Sequence, residues 1–226
     1  MKLKLILLFL IIAVSLPAEV ITFLPSYRKV VFLTFDACET KTPSYFDKKI
    51  LDFLIKNKIP ATFFISGKFA NRNRETLSEI SKYNFFSIQN HSYDHNLHME
   101  KMTDADIEMD LNKTSQLIAE ITGKKPSLFR FPGGNYDNRS LKLVEDLGYR
   151  VVHWSFESGD PDKKMTSDLI FEKVKRNVKR GSIMIFHING RGWHTSEALP
   201  QIINYLNSEG YHLELLENFL KNEKFN

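Results

Sequence analysis

One cysteine, Cys38, stands in a chain of 226 residues, so no intrachain disulfide can brace it and a packed core must supply its stability. A strong charge of either sign is missing too, with 31 Lys and Arg against 27 Asp and Glu, for a net charge of +4. That near balance excludes a basic nucleic-acid footprint. Glycine and proline number 10 and 8. They gather into no linker, repeat or low-complexity tract, which excludes fibrous and disordered classes. The one long apolar run, Leu5 to Val14, falls short of the roughly 20 residues a membrane-spanning helix needs. Lys2 and Lys4 precede it and Ser15-Leu16-Pro17-Ala18 follows, the order of a secretory signal peptide over residues 1–18. That reading leaves one domain over 19–226, secreted or periplasmic. The competing reading, an uncleaved anchor running to Leu24, would bring membrane contact, and Pro17 and Glu19 suit it poorly.

What the chain does have is alternation. Short β-rich runs at Val30 to Phe35, Ala61 to Ile65, Phe85 to Gln89, Leu128 to Phe131, Arg150 to Trp154, Ser182 to Phe186 and Tyr211 to Leu215 are separated by amphipathic segments. These segments are Phe46 to Lys56, Thr103 to Ile121, Leu141 to Leu147, Leu169 to Val178 and Leu199 to Asn207. Thr103 with Asp106 resembles a capping box, Asn138 offers a cap for the third segment, and Gly123 suits a left-handed helix end. Several runs are continuously apolar, as strands covered on both faces are. Strand and helix in turn, about seven times over, predict an α/β fold with a parallel sheet, open or closed into a barrel. Reactive groups then gather at the carboxyl ends of the strands.

That rim can be read from the sequence. His91 and His95 in Asn90-His91-Ser92-Tyr93-Asp94-His95 lie four apart after an apolar run, and can bring two imidazoles to one metal if the segment turns helically. Taken alone, the pair reads more readily as surface or hydrogen-bonded histidines. Asp36 ends the run Leu33-Thr34-Phe35, as a metal ligand, a general base or merely a loop cap. Arg130, between Phe129 and Phe131, is expected to be partly buried and to need a carboxylate, for which Asp36 is a candidate. In Pro132-Gly133-Gly134 a backbone N–H at Gly133 can approach a ligand closely, or the glycines simply make a turn. His187, after Met184-Ile185-Phe186, is either a core histidine or a general acid tuned by Asp160.

With those residues in order, the chain resembles the polysaccharide deacetylases, carbohydrate esterases that include chitin and peptidoglycan N-deacetylases. Thr34-Phe35-Asp36, His91-Ser92-Tyr93-Asp94-His95, Arg130-Phe131-Pro132-Gly133-Gly134, Trp154-Ser155 through Asp160, and Ile185-Phe186-His187 match the family's five motifs, from about Val30 to Leu216. The resemblance implies a distorted (β/α) barrel of about seven parallel strands and a divalent metal, usually zinc, held by an aspartate and two histidines. It implies His91 and His95 as metal ligands, Asp36 as base, Arg130 orienting it, His187 as acid, Asp160 tuning His187, and Gly133 as oxyanion donor. Two departures stand out. Ala37 replaces the usual metal-binding aspartate, so the third ligand is absent, is water, or comes from Asp36, Cys38, Glu39 or Asp94. Asp160-Pro161 replaces the usual Asp-Trp, and Trp193 is a candidate to line the sugar site instead, unless it only packs on the barrel end. The expected activity is removal of N-acetyl groups from an amino-sugar polymer, peptidoglycan first. The alternatives are another amide or imide hydrolase on the same scaffold, or a glycan-binding module that has lost catalysis.

Overall fold

The computed structural model describes residues 19–222, so the expected leader lies outside the described residues. Eight strands form, β1 (Val30–Ala37), β2 (Ala61–Ile65), β3 (Phe86–Asn90), β4 (Leu128–Phe129), β5 (Arg150–Val151), β6 (Phe156–Glu157), β7 (Ile183–His187) and β8 (His212–Leu213). Between and after them run α1 (Lys48–Lys56), α2 (Gly67–Arg72), α3 (Arg74–Ile80), α4 (Asp104–Thr122), α5 (Asn138–Asp146), α6 (Ser167–Asn177), α7 (Thr195–Ser208) and α8 (Leu216–Asn222). The strands pair in the order β5-β4-β3-β2-β1-β7-β6, every pair parallel, with β8 added to the start of β1. This curled sheet of seven parallel strands is the parallel sheet expected from the alternation, in the distorted-barrel form that the resemblance implied.

The barrel is incomplete where β5 and β6 would meet. There the segment just after the expected leader lies in the seam: Ile21 bridges Val152, Phe23 bridges Ser182, and Ile21 N–H and C=O bond to Val151 and His153. Side chains alternate across each strand, and this period of two sorts the chemistry. Phe35 and Ala37 of β1, Phe63 and Ile65 of β2, and Met184 and Phe186 of β7 pack outward in the layer shared with the helices. Val30, Phe32, Phe64 and Ile183 face inward, where Leu216, Phe219 and Leu220 of α8 plug the amino-terminal end. Phe32 meets Phe219 edge to face at 5.1 Å. Above this apolar floor, inward positions turn polar, and the carboxyl-terminal rim carries the titratable groups.

Helix ends follow side-chain chemistry. Thr103 caps α4 by accepting from Asp106 N–H, and Gly123 closes it at φ 71°, in the left-handed region that glycine adopts freely. The cap of α5 is Asp137 rather than Asn138: Asp137 accepts from Ser140 N–H and Ser140 answers to the Asp137 N–H, a reciprocal box. The two-residue β6 and the short helices α2, α3 and α8 were not foreseen, being too short to show a period.

Candidate active site

Inward-facing Thr34 and Asp36 of β1 meet Arg130, which follows β4 and is wholly buried. Its guanidinium gives Nη1 to Asp36 Oδ1 at 2.7 Å, Nη2 to Thr34 Oγ1 and His153 C=O at 3.0 and 2.9 Å, and Nε to Val152 C=O at 3.1 Å. The Phe64 ring lies 4.0 Å beneath it. Burial on its own would raise the Asp36 pKa, but the Arg130 charge, helped by His91 and His187, holds it below the ordinary carboxylate value. Asp36 is therefore a buried anion with one oxygen committed to Arg130 and the other, Oδ2, facing His91.

His91 leaves β3 inward. Its Nδ1 lies 2.8 Å from the Arg130 carbonyl, so Nδ1 carries the proton and Nε2 a bare lone pair. That Nε2 is buried, has no hydrogen-bond partner, and sits 3.4 Å from Asp36 Oδ2. Two acceptors thus face each other. A proton between them is disfavoured, because burial lowers the His91 pKa; a divalent cation would satisfy both, and in that respect the residues fit a metal. His95 comes within 5.0 Å of His91, ring centre to ring centre, and burial together with the neighbouring His91 drops its pKa to about 3, leaving a neutral ligand-ready imidazole. The connecting turn is not helical. Ser92 and His95 take φ of 63° and 55°, strained for non-glycine residues, and are held there by Asn90 Oδ1 on Ser92 N–H, Ser92 Oγ on His95 N–H and Asp110 of α4 on Tyr93 N–H.

Other third ligands are committed elsewhere. Ala37 is fully buried and offers no donor. Cys38 is buried, its thiol is pushed up to about 11 chiefly by desolvation, and Asn189 lies against it. Glu39 pairs with Arg72, and Asp94 with Lys68 at 2.8 Å. Among the described residues no three His, Cys, Asp or Glu side chains converge as a metal-holding group. Asp36 Oδ2 remains as the anionic oxygen facing His91.

Opposite stands His187, the register partner of Asp36 across β1 and β7. Its Nδ1 lies 2.9 Å from Asp160 Oδ1 and its N–H donates to Asp160 Oδ2 at 2.7 Å. Asp160, 1% exposed, also accepts from Ser158 Oγ at 3.0 Å and Thr195 Oγ1 at 2.8 Å. With Nδ1 fixed by a carboxylate, Nε2 is the ring atom left to exchange a proton with a ligand.

These groups share a cavity of about 360 Å³ lined by Asp36, His95, Asp160 and His187. Gly133, at φ 64°, is on its wall, where a Cβ would come within 3.1 Å of Leu97. The aromatic on the wall is Trp154, packed so closely on Gly134 that a Cβ there would sit 2.8 Å from the indole. Trp193 is not part of this lining; the residue is 47% exposed with the Lys163 ammonium 4.3 Å above its ring, and its backbone N–H donates to Asp160 C=O. The sequence reading did not single out Leu97, Ser158, Thr195 or Arg191. Only Arg191, set between Gly190 and Gly192, carries a signal, that of a loop built to present one side chain.

A profile of the polysaccharide deacetylase family matches residues 25–152. A peptidoglycan-N-acetylglucosamine deacetylase of Bacillus cereus is 29% identical over 199 residues, 87% of this chain and 91% of that protein. The peptidoglycan-N-acetylmuramic acid deacetylase PdaA of Bacillus subtilis is 27% identical, over 85% and 72% of the two chains. Among solved structures, a peptidoglycan N-acetylglucosamine deacetylase superposes with a TM-score of 0.80 at 27% identity, over 89% of this chain and 92% of that one. A CE4 family pseudoenzyme from Bacillus anthracis superposes at 0.79 and 26% identity, over 90% and 69%. With the five motifs brought to one rim of one barrel, this chain belongs to the polysaccharide deacetylase family.

Proposed function

We propose that the protein is an exported hydrolase that removes N-acetyl groups from an amino-sugar polymer, with peptidoglycan the foremost candidate. The observation that carries this reading is the pairing of Asp36 and His187 across neighbouring strands in one cavity, each with its own fixed partner. His91 Nε2 and His95 would hold a divalent metal, zinc being suited to imidazole, with Asp36 Oδ2 facing His91 as the base. When bound there, such a cation supplies Lewis-acid polarisation of the scissile carbonyl.

The chain's own residues account for the proton traffic. Asp36, kept anionic by Arg130, accepts a proton from the attacking water, whose oxygen bonds to the acetyl carbon. The backbone at Gly133 offers an N–H to the oxyanion. His187, with Nδ1 held by Asp160, gives a proton from Nε2 to the amide nitrogen as the C–N bond breaks. Acetate leaves and the sugar keeps a free amine. The test is acetate release from peptidoglycan, chitooligosaccharides and acetylated xylan. Asp36→Asn and His187→Ala should each lose roughly 10² to 10⁴ in turnover while remaining folded. Near-normal turnover in either variant would remove its assigned role.

Ala37 favours one second reading, a glycan-binding protein without catalysis, and one structural relative of this chain is a CE4 family pseudoenzyme. Binding of a glycan with no acetate released from any substrate would select it.

A further inference from the structure

Two of the charges along the cavity are answered. Asp36 is matched by Arg130, and Asp160 by His187, Ser158 and Thr195. Two lining charges have no ion-pair partner among the described residues, Glu157 on β6 and Arg191. They do not pair with each other. Arg191 lies close enough to Cys38 and His95 for its charge to be felt at both.

The loop that carries Arg191 is built rather than loose. Gly190 turns it at φ 78°. Gly192 presses onto the catalytic layer, where a Cβ would lie 2.4 Å from Thr195 Oγ1, 2.5 Å from the His187 carbonyl and 2.8 Å from Asp160 Oδ2. Trp193 N–H is tied to Asp160 C=O and Thr195 N–H to Gly192 C=O. The backbone that follows Arg191 is thereby fixed to the group that holds His187. A guanidinium presents a fixed fork of donors that matches a carboxylate in a two-point contact. Here that fork stands at the cavity with no protein carboxylate to fill it.

We propose that Arg191 is a substrate-specificity residue that binds a free carboxylate on the glycan, making the preferred substrate an acidic amino sugar. This rests on the glycan deacetylase reading. Two parts of a cell-wall glycan carry such a group: the lactyl ether of a muramic acid residue stripped of its peptide, and the free carboxylates of an attached peptide. Glu157, elsewhere on the lining, repels the same group and so favours one orientation of the sugar.

The experiment measures kcat/KM for acetate release from peptide-free glycan strands with free lactyl carboxylates, from the same strands with those carboxyls converted to amides, from intact peptidoglycan, and from chitotetraose. The wild type should prefer free-carboxylate strands over amidated strands by about tenfold or more, the range for a charge-assisted hydrogen bond. In Arg191→Gln that ratio should fall to near one, mainly through KM, and Glu157→Gln should not lower it. Added salt should shrink the ratio. A preference for intact peptidoglycan alone, lost in Arg191→Gln, would place the carboxylate on the peptide. Equal losses on all four substrates in Arg191→Gln, or no preference in the wild type, would overturn the proposal while leaving the deacetylase reading intact. Should no substrate release acetate, the reaction assignment fails, and the affinities of free and amidated strands for the wild type and Arg191→Gln decide the proposal separately by the same ratio.

Discussion

Two carboxylates reach the same cavity and are held in opposite ways. Asp36 is paired with an arginine that is wholly buried, whose other donors are used on carbonyls and a hydroxyl. Asp160 is paired with a histidine whose side chain is 14% exposed, and is surrounded by hydroxyls. An arginine keeps its proton throughout the working range, so Asp36 remains an acceptor; a histidine can gain and lose one, so the Asp160 side can deliver it. In the proposed reaction, base and acid are therefore set apart by the cation chosen for each carboxylate, although both carboxylates are buried to a similar degree.

Breaking the first pair should have the largest effect. Arg130→Met removes a buried cation and strands Asp36 without compensation, at a cost of about 3–5 kcal/mol in unfolding free energy. Chemical denaturation would measure it. A double variant, Arg130→Met with Asp36→Leu, should recover much of that stability, since an apolar pair needs no solvation. Failure to recover would mean that the carbonyls of Val152 and His153, left without donors, dominate instead. On the same side, His91→Ala should reduce bound divalent metal from roughly one per chain toward none by elemental analysis, since two imidazoles are the main donors. Unchanged content would show that the metal sits elsewhere.

Much of this contrast was legible from the sequence, because strand ends can be read from where apolar runs stop. Asp36, His91, Arg130 and His187 each lie at such a stop, and the sheet brings them together. Less legible was whatever depends on side chains reaching across short or irregular elements. Gln89 illustrates it: β3 and β4 pair at a single register position, and the Gln89 amide oxygen accepts from Ser127 and Leu128 N–H in place of a ladder. Thr195 has no apolar run before it, so nothing in the sequence tied it to Asp160. The choice of Asp137 over Asn138 as a cap turned on one residue of register, the usual size of error at helix ends.

A smaller effect should separate the two halves by pH. His153 is buried between Phe131, Tyr136 and Trp154, its Nε2 has no partner, and desolvation together with the Arg130 charge lowers its pKa to about 4. Below pH 6.5 the unfolded chain takes up a proton that the folded chain refuses. The stability from neutral His153 is therefore complete above pH 6.5 and is lost as pH falls toward 4. His153→Phe keeps an aromatic ring and removes the titration. Its unfolding free energy should fall less than the wild type's between pH 6.5 and 4, by on the order of 2 kcal/mol. Parallel curves would show that His153 gains a partner on protonation.

The smallest expected effect sharpens the comparison from the acid side. Thr195, fully buried at the start of α7, donates to Asp160 Oδ2, the oxygen that also takes the His187 N–H. Thr195→Val keeps shape and removes the donor. Asp160 retains Ser158 and both His187 contacts, so the carboxylate stays solvated and the fold survives with a loss of about 1–2 kcal/mol. What changes is the hold on His187, since a carboxylate free to rotate no longer fixes the imidazole toward the leaving nitrogen. Turnover should fall roughly three- to tenfold with KM little changed, and Thr195→Ser should restore it. If KM rose instead while turnover held, Thr195 would be shaping the glycan site through Gly192, whose carbonyl its N–H holds, rather than orienting the acid.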